Sequence, residues 1–311
     1  MNFKSSGPAE RVQAIGSTTE LSATLQRAFD PGEDFDPIPV PRAGDWLAEH
    51  PEAGQTFEDF ARSKWSTPDG QRKKIYLQPL GNFPKGRSPS IETLKQYTAA
   101  YFAMDVGVLS PVAASEYKLT TRINPLTENR QILTSDVLVL LKTKLRSDAF
   151  CALAITMEDL YPDPSWNFVF GQASFHERVG VFSFARYDPA FYGEKRGDDY
   201  HKVLLRRSCK VLVHEMAHMF SLAHCIFFKC VLNGSNHLQE SDSRPLWLCP
   251  VCLRKLQFSV GFDIADRYGA LLRVYKKIGF NHEARWVAKR LKRISADENG
   301  KRLSKRRDEK A

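Results

Sequence analysis

Residues 214 to 225 read His-Glu-Met-Ala-His-Met-Phe-Ser-Leu-Ala-His-Cys, which sets three imidazoles and a carboxylate within eleven positions. His214 and His218 stand at i and i+4. On an α-helix that spacing is a rise of ~6 Å and a rotation of ~40°, so both rings leave one face. One zinc ion accepts imidazole nitrogens at ~2 Å from such a pair. Glu215 follows the first histidine and therefore flanks the metal instead of binding it, which is where a base for a zinc-activated water belongs. A straight helix would carry His224 away from that metal, so the chain has to turn after Ser221. H-E-x-x-H alone is a modest pattern that chance produces. The third histidine, six residues after His218, makes it much more specific.

The cysteines behind the histidines extend the pattern. Cys225, Cys230, Cys249 and Cys252 have zinc-ligand spacing. Successive side chains of an extended backbone point to opposite sides. His224 can then face one zinc ion while its neighbour Cys225 faces another. The expected complement is two Zn2+ per chain: a catalytic ion on His214, His218 and His224, and a closed structural ion on the four cysteines. A structural zinc contributes ~10–16 kcal/mol of apparent binding energy in small peptides. Here it would pin the loop through Asn233-Gly234-Ser235-Asn236 and fix the third histidine. The competing reading is a nucleic-acid-binding zinc ribbon, with Arg254-Lys255 close by. The cluster is fused to the histidine motif without a linker, which argues against that reading.

Read from His214 to Cys252, these residues resemble the archaemetzincins, a branch of metzincin-type zinc peptidases. Their H-E-x-x-H-x-x-G-x-x-H motif runs directly into a four-cysteine cluster. The stretches Asp159-Leu160-Tyr161-Pro162, Asn167-Phe168-Val169-Phe170-Gly171 and Gly180-Val181-Phe182-Ser183-Phe184-Ala185-Arg186 also look like the family. The resemblance covers roughly residues 74–270. It implies a zinc metallopeptidase acting on peptide or protein substrates, with aminopeptidase-like action on short peptides as one form. No residue here sets the cleavage polarity. It also implies an α+β fold: a metzincin-like single catalytic domain with a twisted mixed sheet, an active-site helix and an integrated four-cysteine zinc module. In metzincins an edge strand near the zinc holds the substrate backbone, a known recognition mode. Two positions depart from the family: Ser221 stands where a glycine is expected, and Leu232 where a methionine is. Those departures keep open an inactive, zinc-stabilised interaction protein. Asn236 and His237 are weaker candidates for substrate contact, with turn formation as the competing role.

The elements that must position these residues follow from periodicity. Residues 74–79 read as a strand. Ser88-Pro89 then looks like an N-cap pair ahead of a helix carrying Ile91, Leu94, Tyr97, Tyr101 and Phe102. Residues 106–113 and 117–123 read as strands, 134–145 as a helix, and 150–157 as a compact apolar strand fit for the middle of a sheet. Asp159 reads as a turn former. Residues 168–173 and 180–187 are further strands. The motif helix runs over 200–220, with Arg206, Arg207 and Lys210 expected at the surface. A closing helix spans 261–278 and a basic amphipathic one 286–294.

With 311 residues the chain can bury one substantial core with additions. The expected division is a flexible arm over 1–40, a catalytic domain over 41–280 with the zinc module at 225–256, and a basic helix and tail over 281–311. From Glu283 onward 11 basic residues face 5 acidic ones, so most of the net charge of +9 belongs to that tail and says little about the core's partners. The start has no apolar signal region, and no apolar run approaches the ~20 residues of a membrane helix. The expectation is therefore a soluble intracellular protein of cytoplasm or nucleus with reduced thiols. Cys151 and Cys209, in apolar surroundings, should be buried and free. No sequence feature decides the oligomeric state.

Overall fold

The computed structural model describes residues 3–63, 66–174 and 176–295. The charged tail from Lys301 lies outside the described residues. By compactness, the described residues among 1–63 and 223–311 gather into one unit and those among 64–222 into another.

The chain opens with α1 (Pro8–Ile15), α2 (Ala23–Phe29), α3 (Trp46–Glu49) and α4 (Phe57–Arg62). Their starts are written locally. Pro8 sits in the first turn of α1, the Ser22 hydroxyl accepts from Leu25 N, and Thr56 and Asp59 form a reciprocal capping box. Each helix buries at least one apolar side chain, among them Ile15, Phe29, Leu47 and Phe60.

Next come β1 (Lys74–Leu80), α5 (Ile91–Phe102), β2 (Asp105–Val108), β3 (Thr121–Ile123), β4 (Arg130–Leu133), α6 (Thr134–Thr143), β5 (Ala149–Thr156), β6 (Asp159–Tyr161), β7 (Gly171–Ser174), β8 (Val179–Ser183) and α7 (Tyr200–Met219). Among the described residues the main sheet runs β2-β1-β5-β8-β7, parallel except for β7, which pairs antiparallel with β8 at the edge. The middle strand, β5, is buried along its whole length, as its unbroken apolar run requires in a parallel sheet. A smaller sheet runs β3-β4-β6. The motif helix α7 packs on β7, β8 and α5. At its C-terminal end Phe220 stacks on Phe102 (5.2 Å between centroids) and packs on Phe150 (4.3 Å). A Cβ at Gly180 of β8 would lie 2.7 Å from Met219 Cε, so only glycine lets Met219 pack this closely.

The chain ends in α8 (Leu238–Asp242), α9 (Pro250–Val260), α10 (Ile264–Lys277) and α11 (Asn281–Ile294). Arginines from this part tie down the first forty residues. The Arg254 guanidinium donates to Ile15 O and Ser17 O, and Arg290, wholly buried, pairs with Asp34 at 2.7 Å and donates to Ala28 O. Trp286 stacks on Trp247 at 4.3 Å.

Several local expectations need correction. The N-cap of α5 is Ser90, whose hydroxyl accepts from Thr93 N, not Ser88. Asp159 begins a strand instead of a turn: its buried carboxylate is held bidentately by Arg186 at 2.8 and 2.7 Å. Lys210 is buried, because α7 is covered on more than one side. A helix starting directly at Pro250 was not anticipated, although Pro after the N-cap is a start signal. Cys151 and Cys209 are buried and form no disulfide, as expected, and burial pushes the Cys151 thiol up.

Candidate metal centres

His214 and His218 project from α7 one turn apart. Their rings are nearly perpendicular, at 86°, and their Nε2 atoms stand 3.2 Å apart. Zinc–nitrogen bonds of ~2.0–2.1 Å in a tetrahedron put two ligand nitrogens ~3.3–3.4 Å apart, so this pair is already at metal-bridging distance. His218 Nδ1 lies 2.6 Å from Leu222 O. A carbonyl only accepts, so Nδ1 carries the proton and Nε2 presents a lone pair.

The helix then ends in a Schellman motif. Ser221 N donates to His218 O at 2.8 Å and Leu222 N to Ala217 O at 3.3 Å, with Ser221 left-handed at φ 65°. For a serine that conformation costs ~1–2 kcal/mol. The Ser221 hydroxyl also accepts from Ser66 N at 3.2 Å, which offsets part of the strain. The serine thus makes the turn that the sequence demanded between His218 and His224. His214, His218 and, six residues further on, His224 are all half-buried side chains. Glu215, next to His214 on α7, is half-buried too. Three nitrogen donors with part of their surface still open suit a zinc ion that keeps a position for water.

The four cysteines are a different environment. Cys225, Cys230, Cys249 and Cys252 are all buried, and their sulfurs lie within 4.8 Å of one another, with Cys225 Sγ 3.5 Å from Cys249 Sγ. None forms a disulfide. Tetrahedral zinc–sulfur bonds of ~2.3 Å give sulfur–sulfur edges of ~3.8 Å, which the Cys225–Cys249 pair nearly matches. Thiol donation from Cys230 above all pulls Cys225 well below a free thiol's value. Burial above all pushes Cys249 well up, and the Cys225 neighbour does the same to Cys252. Four buried sulfurs converging on one point are a donor set that a cation would satisfy. The loop between them is organised by Asn233, whose Oδ1 accepts from Cys230 N at 2.8 Å while its Nδ2 donates to Cys225 O (2.6 Å) and Phe228 O (2.9 Å). Cys249 caps α9 and Cys252 lies in its first turn. Leu232 is fully buried, and its carbonyl accepts from Cys225 N at 2.8 Å.

Asn236 and His237 take up other bonds. Asn236 N donates to Glu240 Oε2 and its side chain to Gly44 O, while His237 caps α8 and lies 3.2 Å from Asp45. Asp45, His237 and Glu240 also converge within 4.8 Å. However, the Glu240 oxygens already accept from Trp46 N, Asn236 N and Arg244. Two neighbours of the centres escaped the sequence reading. Asn233 looked like an ordinary turn residue. Glu52, whose Oε1 lies 2.8 Å from His224 Nδ1, belongs to no motif and is 172 positions away in sequence.

Comparison with known proteins gives four findings. A family model described as Peptidase family M54 matches residues 109–258. Archaemetzincin-2 of Homo sapiens is 44% identical over 291 residues, covering 83% of this chain and 81% of that protein. Archaemetzincin-1 of Homo sapiens is 34% identical over 276 residues, covering 79% of this chain and 55% of that protein. Among solved structures, archaemetzincin from Methanopyrus kandleri is 27% identical with a TM-score of 0.44, covering 62% of this chain and 97% of that one.

Proposed function

This chain belongs to peptidase family M54, the archaemetzincins, and is a zinc metallopeptidase; we propose that it hydrolyses peptide bonds at the three-histidine centre, with Glu215 as the general base. The observation that carries the reading is the 3.2 Å approach of the His214 and His218 Nε2 atoms, with His218 fixed by Leu222 O in the metal-binding tautomer. His214, His218 and His224 would hold the catalytic zinc, and Cys225, Cys230, Cys249 and Cys252 a structural one, giving two zinc ions per chain. A catalytic zinc supplies Lewis acidity and lowers the pKa of water from 15.7 toward ~7.

The chain's own groups do the rest. The Glu215 carboxylate takes the proton from the attacking water and delivers it to the leaving amine. Its place beside His214, outside the ligand spacing, leaves it to handle protons. The edge strand β7, antiparallel to β8 and packed against α7, offers its outer side for pairing with an extended peptide, in the manner of metzincins. The substrate class carried over from the family is short peptides, with attack from the amino terminus. In this reading residues 41–280 are the catalytic body and 225–256 its zinc module. The left-handed Ser221 speaks for activity, since the serine performs the turn of the family's glycine. None of the described helices is long and apolar enough to cross a membrane.

The test is turnover of a peptide library by wild type and Glu215→Ala, with zinc content measured on both. The expected result is hydrolysis in the wild type, a ~10²–10⁴-fold loss in the variant, and equal zinc in both. Retained turnover in Glu215→Ala, or loss of its zinc, would assign the residue another role.

A further inference from the structure

We propose that Glu52 is a positioning residue for the metal centre, holding His224 in the tautomer and orientation that present Nε2 to the metal. The proposal rests on reading His224 as the third zinc ligand.

The geometry is specific. Glu52 Oε1 lies 2.8 Å from His224 Nδ1 and accepts from Trp46 Nε1 at 2.9 Å. A carboxylate only accepts, so His224 must donate from Nδ1, which leaves the Nε2 lone pair as its metal-binding atom. The Trp46 ring stands edge-on to the His224 ring, 5.2 Å away at 81°, and restrains it from a second direction. Trp46 is itself held: its backbone N–H donates to Glu240. A Cβ at Gly234 would come within 2.4 Å of Trp46 Cδ1, so a side chain there would displace the tryptophan.

Three residues further on, Gln55 Oε1 accepts from Ala223 N at 3.1 Å, fixing the backbone next to His224. The buried ammonium of Lys255 on α9 donates to the same Gln55 oxygen at 3.1 Å, three residues after Cys252. Gly54, at φ 77°, has Ile226 within 2.6 Å of where its Cβ would be. Residues 46–55 therefore strap the segment that carries His224 and Cys225. The strap lies outside residues 109–258, the span matched by the family model. A carboxylate–histidine salt bridge at the surface is worth only ~0–1 kcal/mol. Glu52 is different, because its oxygen is shared with a tryptophan N–H and the imidazole it holds is braced by the Trp46 ring as well. Partners of metal-bound histidines contribute 10–100-fold to metal affinity or activity.

The experiment is zinc competition against a chromophoric chelator on metal-depleted, refilled full-length protein, together with the visible spectrum of the cobalt-substituted form. The variants are Glu52→Ala, Glu52→Gln, His224→Ala and the Glu52→Ala/His224→Ala double. Glu52→Ala is expected to weaken the more labile zinc site 10–100-fold and to shift the cobalt bands. Glu52→Gln, which still accepts from Nδ1–H, should lose less, and the tightly held zinc should be unchanged. The double variant should be no weaker than His224→Ala, because Glu52 acts only through His224. Unchanged affinity and spectrum in Glu52→Ala, while His224→Ala loses zinc, would overturn the positioning role alone. An additive double variant would overturn it too, as would equal loss from both zinc sites. If His224→Ala itself keeps zinc affinity and spectrum, the three-histidine reading fails, and the proposal with it.

Discussion

Two groups of candidate metal ligands adjoin in sequence at His224 and Cys225, and they differ in almost every physical respect. The histidines are half-buried, with Nδ1 of His218 donating to Leu222 O and Nδ1 of His224 to Glu52. The cysteines are buried, and the network of Asn233 and the start of α9 shape the backbone around them. A half-buried ligand set leaves room for water and substrate, whereas a fully buried set leaves room only for the ion. The difference suggests a division of labour: one centre does chemistry, and the other keeps the turn between them in place.

The largest expected effect falls on the buried group. Cys249→Ser keeps a good N-cap residue for α9, so any loss reports the sulfur and not the helix start. The variant should lose the tightly held zinc, and its thermal midpoint should fall by more than ~10 °C, as expected for a loss of several kcal/mol. A midpoint within a few degrees of the parent would break the comparison, since the cluster would then not be structural. Glu215→Ala, beside the half-buried histidines, should show the opposite pattern: activity down ~10²–10⁴-fold, midpoint and zinc intact.

The smallest effect belongs to Ser221, at the hinge between the two groups. Ser221→Gly would relieve ~1–2 kcal/mol of left-handed strain. It would also forfeit the hydrogen bond from Ser66 N, worth ~1 kcal/mol, and loosen the unfolded chain by a similar amount. These terms nearly cancel, so the midpoint should stay within ~3 °C of the wild type, with zinc retention unchanged. A larger fall in calorimetry, with faster zinc loss, would show the serine hydroxyl to be indispensable to the turn.

Much of the centre was legible because its constraints are local. The i, i+4 histidine pair, the need to turn before His224 and the opposed faces of His224 and Cys225 all follow from backbone periods. The elements that carry the centre were mostly legible for the same reason: β5 is a continuous apolar run, and α7 is a long amphipathic stretch. What was not legible depends on partners distant in sequence. Asp159 looks like a turn residue until Arg186 is placed against it. Lys210 looks solvated until α7 is seen covered by sheet and helix. The first forty residues show little periodicity because their ties are guanidinium groups reaching backbone carbonyls, as in Arg254 to Ile15 and Arg290 to Ala28. Glu52 is the sharpest case: an unremarkable glutamate in a Pro-flanked loop that meets His224 only in the folded chain.

The central claim is that two zinc ions sit side by side in sequence and do different jobs. The direct measurement is zinc release under a timed chelator challenge, followed together with peptide hydrolysis and circular dichroism on one wild-type sample. The account predicts two zinc ions per chain. The first should leave early, taking activity with it while the fold persists, and the second should leave only as the protein unfolds. A single zinc ion per chain, or two that leave together with the fold, would contradict it.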